Sequence, residues 1–129
     1  MTFHTLIVDD SSAVRAFVRA ALEDADFARV QEAETGFEAL QLLASNAFDV
    51  VIVDVNMPDI NGLELLAFMN KSPRQQGAIK ILISTRADGP DAKRGAKLGA
   101  DAFLAKPFGV DDLRKLIRGL VDPIEEVSG

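Results

Sequence analysis

The chain has no cysteine, no tryptophan and no tyrosine among its 129 residues, and its only histidine is His4. The missing cysteine rules out disulfides, thiolate metal centres and a cysteine nucleophile, and it suits a reducing compartment. No apolar run approaches the length of a membrane span. The N-terminal MTFHTLIVDD leads straight into a strand-like segment rather than a signal peptide, so membrane insertion is not expected and the expected location is cytoplasmic. Cations are outnumbered, 14 Lys and Arg against 20 Asp and Glu, for a net charge of −6. Such a balance argues against direct nucleic-acid binding, which needs basic residues to displace counterions from phosphates. A protein or small-ion partner is expected instead.

What is present is ordinary for a globular domain: 48% apolar and 26% charged residues. At this length roughly two thirds of the unfolded surface can be buried. No linker or repeat divides the chain, so a single domain over 1–129 is expected, with 122–129 as a flexible C-terminal tail. Strand candidates are TLIV (5–8), ARVQEA (28–33), DVVIVD (49–54), KILIST (80–85) and AFLAK (102–106). Most are continuous apolar runs, the pattern of strands buried on both faces. Between them lie amphipathic stretches. Val14, Phe17, Val18, Ala21 and Leu22 share one helical face, with Ser11 or Ser12 as N-cap. A second helix over about 36–46 carries Ala39, Leu40, Leu43 and Ala47, and a last one over about 110–121 carries Leu113, Leu116, Ile117 and Leu120. Helices over 63–70 and 90–99 complete the set, with Pro90 at a first helical position and Gly99 as a stop. Five βα units predict a doubly wound parallel α/β sheet with right-handed crossovers.

Ligands of such sheets bind outside the carboxyl ends of the strands. Asp9 and Asp10 follow the first strand, Asp54 closes the third, Ser84 and Thr85 follow KILI, and Lys106 follows AFLA. Each has a plain alternative. Asp9 and Asp10 could be turn or N-cap residues, and Lys106 a surface lysine. Asp54 is harder to set aside, because it ends an apolar run and Pro58 prevents regular helix directly after it. If the strands lie side by side, three carboxylates crowd together, and one must protonate unless a cation neutralises them. Oxygen-only ligands favour Mg²⁺, to which the Asn56 backbone carbonyl could add a further ligand. Lys106 and Ser84 would complete a phosphoryl pocket in which Asp54 acts as the nucleophile.

The stretches LIVDDSSAVRAFVRAAL, DVVIVDVNMPDINGLELL, KILIST and AFLAKPF together span nearly the whole chain, and in them the sequence resembles the receiver domains of two-component response regulators, in particular the CheY-like single-domain regulators. The resemblance implies strand order 2-1-3-4-5 with five helices. It implies that Asp9, Asp10, Asp54 and the Asn56 carbonyl hold Mg²⁺, and that Asp54 accepts a phosphoryl group from a sensor histidine kinase or histidine phosphotransfer protein. Ser84 and Lys106 would bind that group, the Lys106-Pro107 bond would be cis, and Pro58 and Gly62 would be structural. Phe103 falls at the family's aromatic switch position, which often holds tyrosine. Lacking tyrosine, this chain would have to switch by packing alone, and a downstream protein would read the face of the fourth helix, fifth strand and fifth helix. Asn56 and Arg86 occupy places that tune dephosphorylation. Phe103 has the plain alternative of a core residue and Arg86 that of one more exposed charge, while His4 is expected to be a surface residue.

The resemblance also implies a signalling module rather than an enzyme, possessing only its own phosphotransfer and autodephosphorylation, with chemotaxis or a phosphorelay as its pathway. It leaves room for a receiver excised from a larger regulator or hybrid kinase. A haloacid dehalogenase-type phosphatase would place a second acid where Asn56 stands and would need a cap domain. A flavodoxin-like FMN carrier would need a hydroxyl- and glycine-rich phosphate loop in place of DDSSAVR, and a pseudo-receiver would lack site residues that are all present here.

Overall fold

The structure, a computed structural model, describes residues 2–22, 27, 29–85 and 89–128, with side chains up to Asp122. The strands are β1 (His4–Val8), β2 (Arg29–Ala33), β3 (Val50–Asp54), β4 (Ile79–Ser84) and β5 (Ala102–Ala105). The helices are α1 (Ser12–Ala21), α2 (Gly36–Ser45), α3 (Gly62–Lys71), α4 (Pro90–Lys97) and α5 (Val110–Ser128), with a short 3-10 turn at Pro73–Gln75. All strand pairings are parallel, in the order β2-β1-β3-β4-β5. The expected five-stranded, CheY-like α/β fold is thus present.

The apolar strands divide their side chains between two cores, because successive residues of a strand point to opposite faces. Val50 and Ile52 of β3 join Ile81 and Ile83 of β4 beneath Val18 of α1 and Leu113 and Ile117 of α5. Val51 and Val53 face the other way with Leu6, Val8 and Leu82, beneath Ala39 and Leu43 of α2 and Leu65, Leu66 and Met69 of α3. Strand β3 is buried along its whole length. The edge strand β2 has one pairing partner and only Ala33 fully buried, which is why its sequence reads as mixed.

Helix starts follow local chemistry. Ser11 Oγ accepts the Val14 N–H at 3.2 Å, Thr35 Oγ1 the Glu38 N–H at 3.0 Å and Asn61 Oδ1 the Glu64 N–H at 2.9 Å. Gly99 takes φ +90, the left-handed conformation that ends the α4 turn at least cost.

Some boundaries differ from expectation. Helix α2 stops at Ser45, so Ala47 is exposed outside it: Asn46 turns extended, and both its backbone N–H and its Nδ2 bond the Leu42 carbonyl. Helix α5 runs through Ser128, past the Asp122-Pro123 step where its end was expected; a proline removes one i→i−4 hydrogen bond without removing those around it. His4 opens β1 rather than preceding it and is half-buried, its ring 4.4 Å from that of Phe48 and its Nε2 2.7 Å from Gln31 Oε1. Ala28, expected to begin β2, lies outside the described residues.

Candidate functional site

The sheet order places β1, β3, β4 and β5 side by side, so the residues at their carboxyl ends meet. Asp9 follows β1 and is fully buried, Asp54 ends β3 at 4% exposure, and Ser84 ends β4 fully buried. Asp10 is exposed. Carboxylate oxygens of Asp9, Asp10 and Asp54 all lie within 4.8 Å of one another. Lys106, just past β5, reaches across the sheet: its Nζ is 2.8 Å from Asp9 Oδ2 and 3.3 Å from Asp54 Oδ2. The other Asp9 oxygen accepts the Ser11 N–H at 2.9 Å, and the other Asp54 oxygen accepts the Asn56 N–H at 3.0 Å. Asn56 Nδ2 donates to Ser84 Oγ at 3.4 Å.

The electrostatics follow from this geometry. Burial pushes the Asp54 carboxyl above the usual carboxylate range; the Asn56 N–H opposes that, the Asp9 charge adds to it, and the Lys106 ammonium opposes it. Lys106 ends above its ordinary value, although burial pulls it down, because the Asp9 and Asp54 carboxylates outweigh burial. Three carboxylates against one ammonium leave two formal negative charges in a set of oxygen ligands. That surplus fits one hard divalent cation, as in the acidic Mg²⁺ sites of receivers.

The approach to this cluster is shaped by its supports. Gly62 opens α3 hard against β3: a Cβ there would fall 2.8 Å from the Asp54 carbonyl oxygen and 3.0 Å from Val53 Cγ1. Pro58 is exposed in the loop between them, and the Lys106-Pro107 bond is cis. Phe103 sits apart from the carboxylates, opposite Leu82 on β5 and half-buried against the core under α3. Arg86 lies outside the described residues. Thr85 is exposed and lines a cleft of about 480 Å³ with Lys106, Pro107 and Phe108 on one side and Val14 and Phe17 of α1 on the other.

Two supporting residues went unrecognised in the sequence. Arg15 bonds the Asp9 carbonyl at 2.7 Å through Nη1 and Glu32 Oε1 at 2.9 Å through Nε, tying α1 to the end of β1 and to β2. Asp59 accepts the Gly36 and Phe37 N–H groups at 3.0 and 2.9 Å, clamping the loop after Asp54 onto the start of α2. The Arg15 bond to Glu32 and both Asp59 bonds act over long sequence separations that leave no local pattern. Asn61 did leave one, an Asn-x-x-Glu before an apolar run, which is a capping signature.

Carboxylates, a lysine and a hydroxyl gathered at the carboxyl edge of a 2-1-3-4-5 sheet define the class, a CheY-like α/β signalling domain. Residues 5–118 match the response regulator receiver domain family, and the chain belongs to it: a module of two-component signalling rather than an enzyme that turns over substrate, in a family whose members partner with histidine kinases. The chain is 37% identical over 116 residues to the KDP operon transcriptional regulatory protein KdpE of Escherichia coli, covering 89% of this chain and 49% of that protein. It thus spans about half the length of that relative, as it does of the response regulator Rre1 of Synechocystis, to which it is 34% identical and of which 50% is covered. It is 31% identical over 124 residues to the chemotaxis protein CheY of Pseudomonas aeruginosa, covering 96% of this chain and 98% of that one. Among solved structures it resembles the chemotaxis response regulator CheY4 of Vibrio cholerae, with TM-score 0.85, 31% identity and coverage of 92% and 98%. A CheY-like receiver domain protein from Methanospirillum hungatei gives TM-score 0.87, 29% identity and 98% coverage of both chains. Among the described residues no helix is long and apolar enough to cross a membrane.

Proposed function

We propose that Asp54 takes a phosphoryl group from the phosphohistidine of a sensor histidine kinase or histidine phosphotransfer protein, and that the change switches a partner-binding surface. The observation that carries this reading is the setting of Asp54: a carboxylate at the end of a fully buried strand, 4% exposed, with an ammonium 3.3 Å from one oxygen and an N–H on the other. In the transfer an Asp54 oxygen forms the new O–P bond while the N–P bond to the donor imidazole breaks, its electron pair staying on the departing nitrogen. Asp9, Asp10, Asp54 and the Asn56 backbone carbonyl would hold one Mg²⁺, which when bound supplies positive charge against the phosphoryl oxygens. Lys106 contributes a second positive charge by releasing its carboxylate partners, and the Ser84 hydroxyl donates to a phosphoryl oxygen. The Asn56 side chain, together with Arg86, governs how readily water reaches the acyl phosphate.

The output follows from Ser84. Once its hydroxyl engages the phosphoryl group, the loop after β4 moves inward and makes room for Phe103 to turn into the core. With no phenolic hydroxyl on that ring, the signal is carried by packing, and a downstream protein reads the face of α4, β5 and α5. The likeness to the Pseudomonas chemotaxis protein over 98% of that protein supports chemotaxis as the pathway. The likeness to half of KdpE favours a second reading, the receiver portion of a larger regulator.

Incubation with Mg²⁺ and acetyl phosphate tests the reaction. The chain should gain the mass of one phosphoryl group, and Asp54→Asn should not. Continuous release of phosphate from unrelated esters would instead make it a phosphatase. Phosphotransfer profiling against the histidine kinases of the source organism would identify the donor.

A further inference from the structure

The flank of α4 turned toward α3 carries a feature that the phosphoryl site does not use. Between the two helices runs a groove of about 490 Å³, with Leu63, Ala67 and Leu98 contributing its apolar surface, Arg94 and Lys97 on the α4 edge and Glu64 on the α3 edge. This volume admits a few side chains of a bound segment. Lys93, Arg94 and Lys97 are all exposed, and none is in an ion pair among the described residues. Three unpaired cations on an eight-residue helix stand out in a chain of net charge −6, where the bulk field repels acidic partners.

The walls are also set in place. A Cβ at Gly95 would run into Leu82 Cδ1, so the absence of a side chain lets α4 approach Leu82 of β4 closely. Asn70 Nδ2 donates to the Leu98 carbonyl and ties the end of α3 to the end of α4. A groove whose walls are fixed before binding avoids part of the ordering cost of association.

We propose that this groove docks an acidic, amphipathic segment of a partner protein, its apolar side chains on Leu63, Ala67 and Leu98 and its carboxylates against Arg94 and Lys97. Charge complementarity selects the occupant, and apolar contact supplies most of the affinity. The groove is lined by residues at α3 and α4 and, among the described residues, by none of β5 or α5, and it requires no phosphorylation, so its failure would leave the Asp54 reading untouched.

The test is an amide NMR titration of the full chain with a blocked synthetic peptide of roughly three helical turns, leucines along one face and glutamates elsewhere. A matched peptide with lysine in place of every glutamate serves as control. Shifts confined to Leu63, Glu64, Ala67, Arg94, Lys97 and Leu98 are expected with the acidic peptide, weakening as salt rises. The double variant Arg94→Glu, Lys97→Glu should weaken binding roughly fivefold or more while the rest of its spectrum stays that of the parent, showing that it folds. The proposal is overturned by equal binding of the lysine peptide, by shifts centred elsewhere, or by an unchanged affinity in the double variant. Tighter binding of a DNA duplex at the same residues, or line broadening there from self-association before any peptide is added, would also overturn it.

Discussion

Lys106 lies closer to Asp9 than to Asp54, 2.8 Å against 3.3 Å, so one ammonium from the end of β5 bridges carboxylates delivered by β1 and β3. Removing it leaves two buried carboxylates facing each other without a counter-charge. Lys106→Met should cost about 3 kcal/mol of stability in metal-free buffer. Millimolar Mg²⁺ should restore part of that loss, by mass action on the folded state alone. Urea unfolding with and without Mg²⁺ measures both effects. Unfolding midpoints that Mg²⁺ raises in neither parent nor variant would mean that the cluster does not bind the ion.

Asp59 supplies a pH dependence of known sign. Its carboxyl is held below the ordinary 3.8, first by the Phe37 N–H and then by those of Ile60 and Gly36. A lowered folded-state value means the carboxylate stabilises the fold above the unfolded value, and that this contribution disappears as pH falls through the lowered one. Asp59→Asn should therefore have a lower melting temperature at neutral pH, with the gap closing in acid as pH falls through the lowered folded-state value. A gap that is constant with pH would place the effect in packing rather than charge.

Gly62→Ala forces a methyl group to within 2.8 Å of the Asp54 carbonyl oxygen. Since that contact is with strand backbone, relief requires α3 to move, at a cost of about 2 kcal/mol. The acetyl phosphate labelling rate should fall with it, because the displaced helix follows directly from the loop that holds Asn56. Parent-like labelling alongside the stability loss would show that the loop adjusts independently of α3.

Thr5 is fully buried on β1, and among the described residues its hydroxyl has no hydrogen-bond partner. Thr5→Val exchanges that hydroxyl for a methyl group of similar size, and about 1 kcal/mol of stabilisation is expected. A lower urea midpoint in the variant would mean that the hydroxyl is satisfied in solution.

The proposed switch can be tested at Phe103. With fluorine-labelled phenylalanine, its resonance, assigned through Phe103→Leu, should lose accessibility to a soluble paramagnetic quencher on phosphorylation. Unchanged accessibility would remove Phe103 from the switch.

Much of the fold was legible because the central strands bury both faces and so consist of unbroken apolar runs, VVIV in β3 above all. The carboxylate cluster was legible for a related reason: a charge can close such a run only where the strand leaves the sheet, as Asp9 and Asp54 do. What stayed hidden depends on distant partners. Arg15 is one of two basic residues on α1 until β2 brings Glu32 beside it, and Asp59 looks like a turn residue until α2 offers two free N–H groups. The end of α2 was misplaced because Ala47 continues the apolar spacing, whereas Asn46 competes for the Leu42 carbonyl.

Strand β3 is paired on both edges, to β1 and to β4, and roofed on both faces. Its amides can exchange with solvent deuterium only when the whole domain opens, whereas the helices over it can open locally. The residue proposed to take the phosphoryl group is therefore rooted in the slowest-breathing part of the molecule, and the surfaces proposed for partners belong to the faster-breathing parts. On the proposed reading, a signal written at Asp54 starts from a fixed point, and the motion it produces is confined to the layers outside.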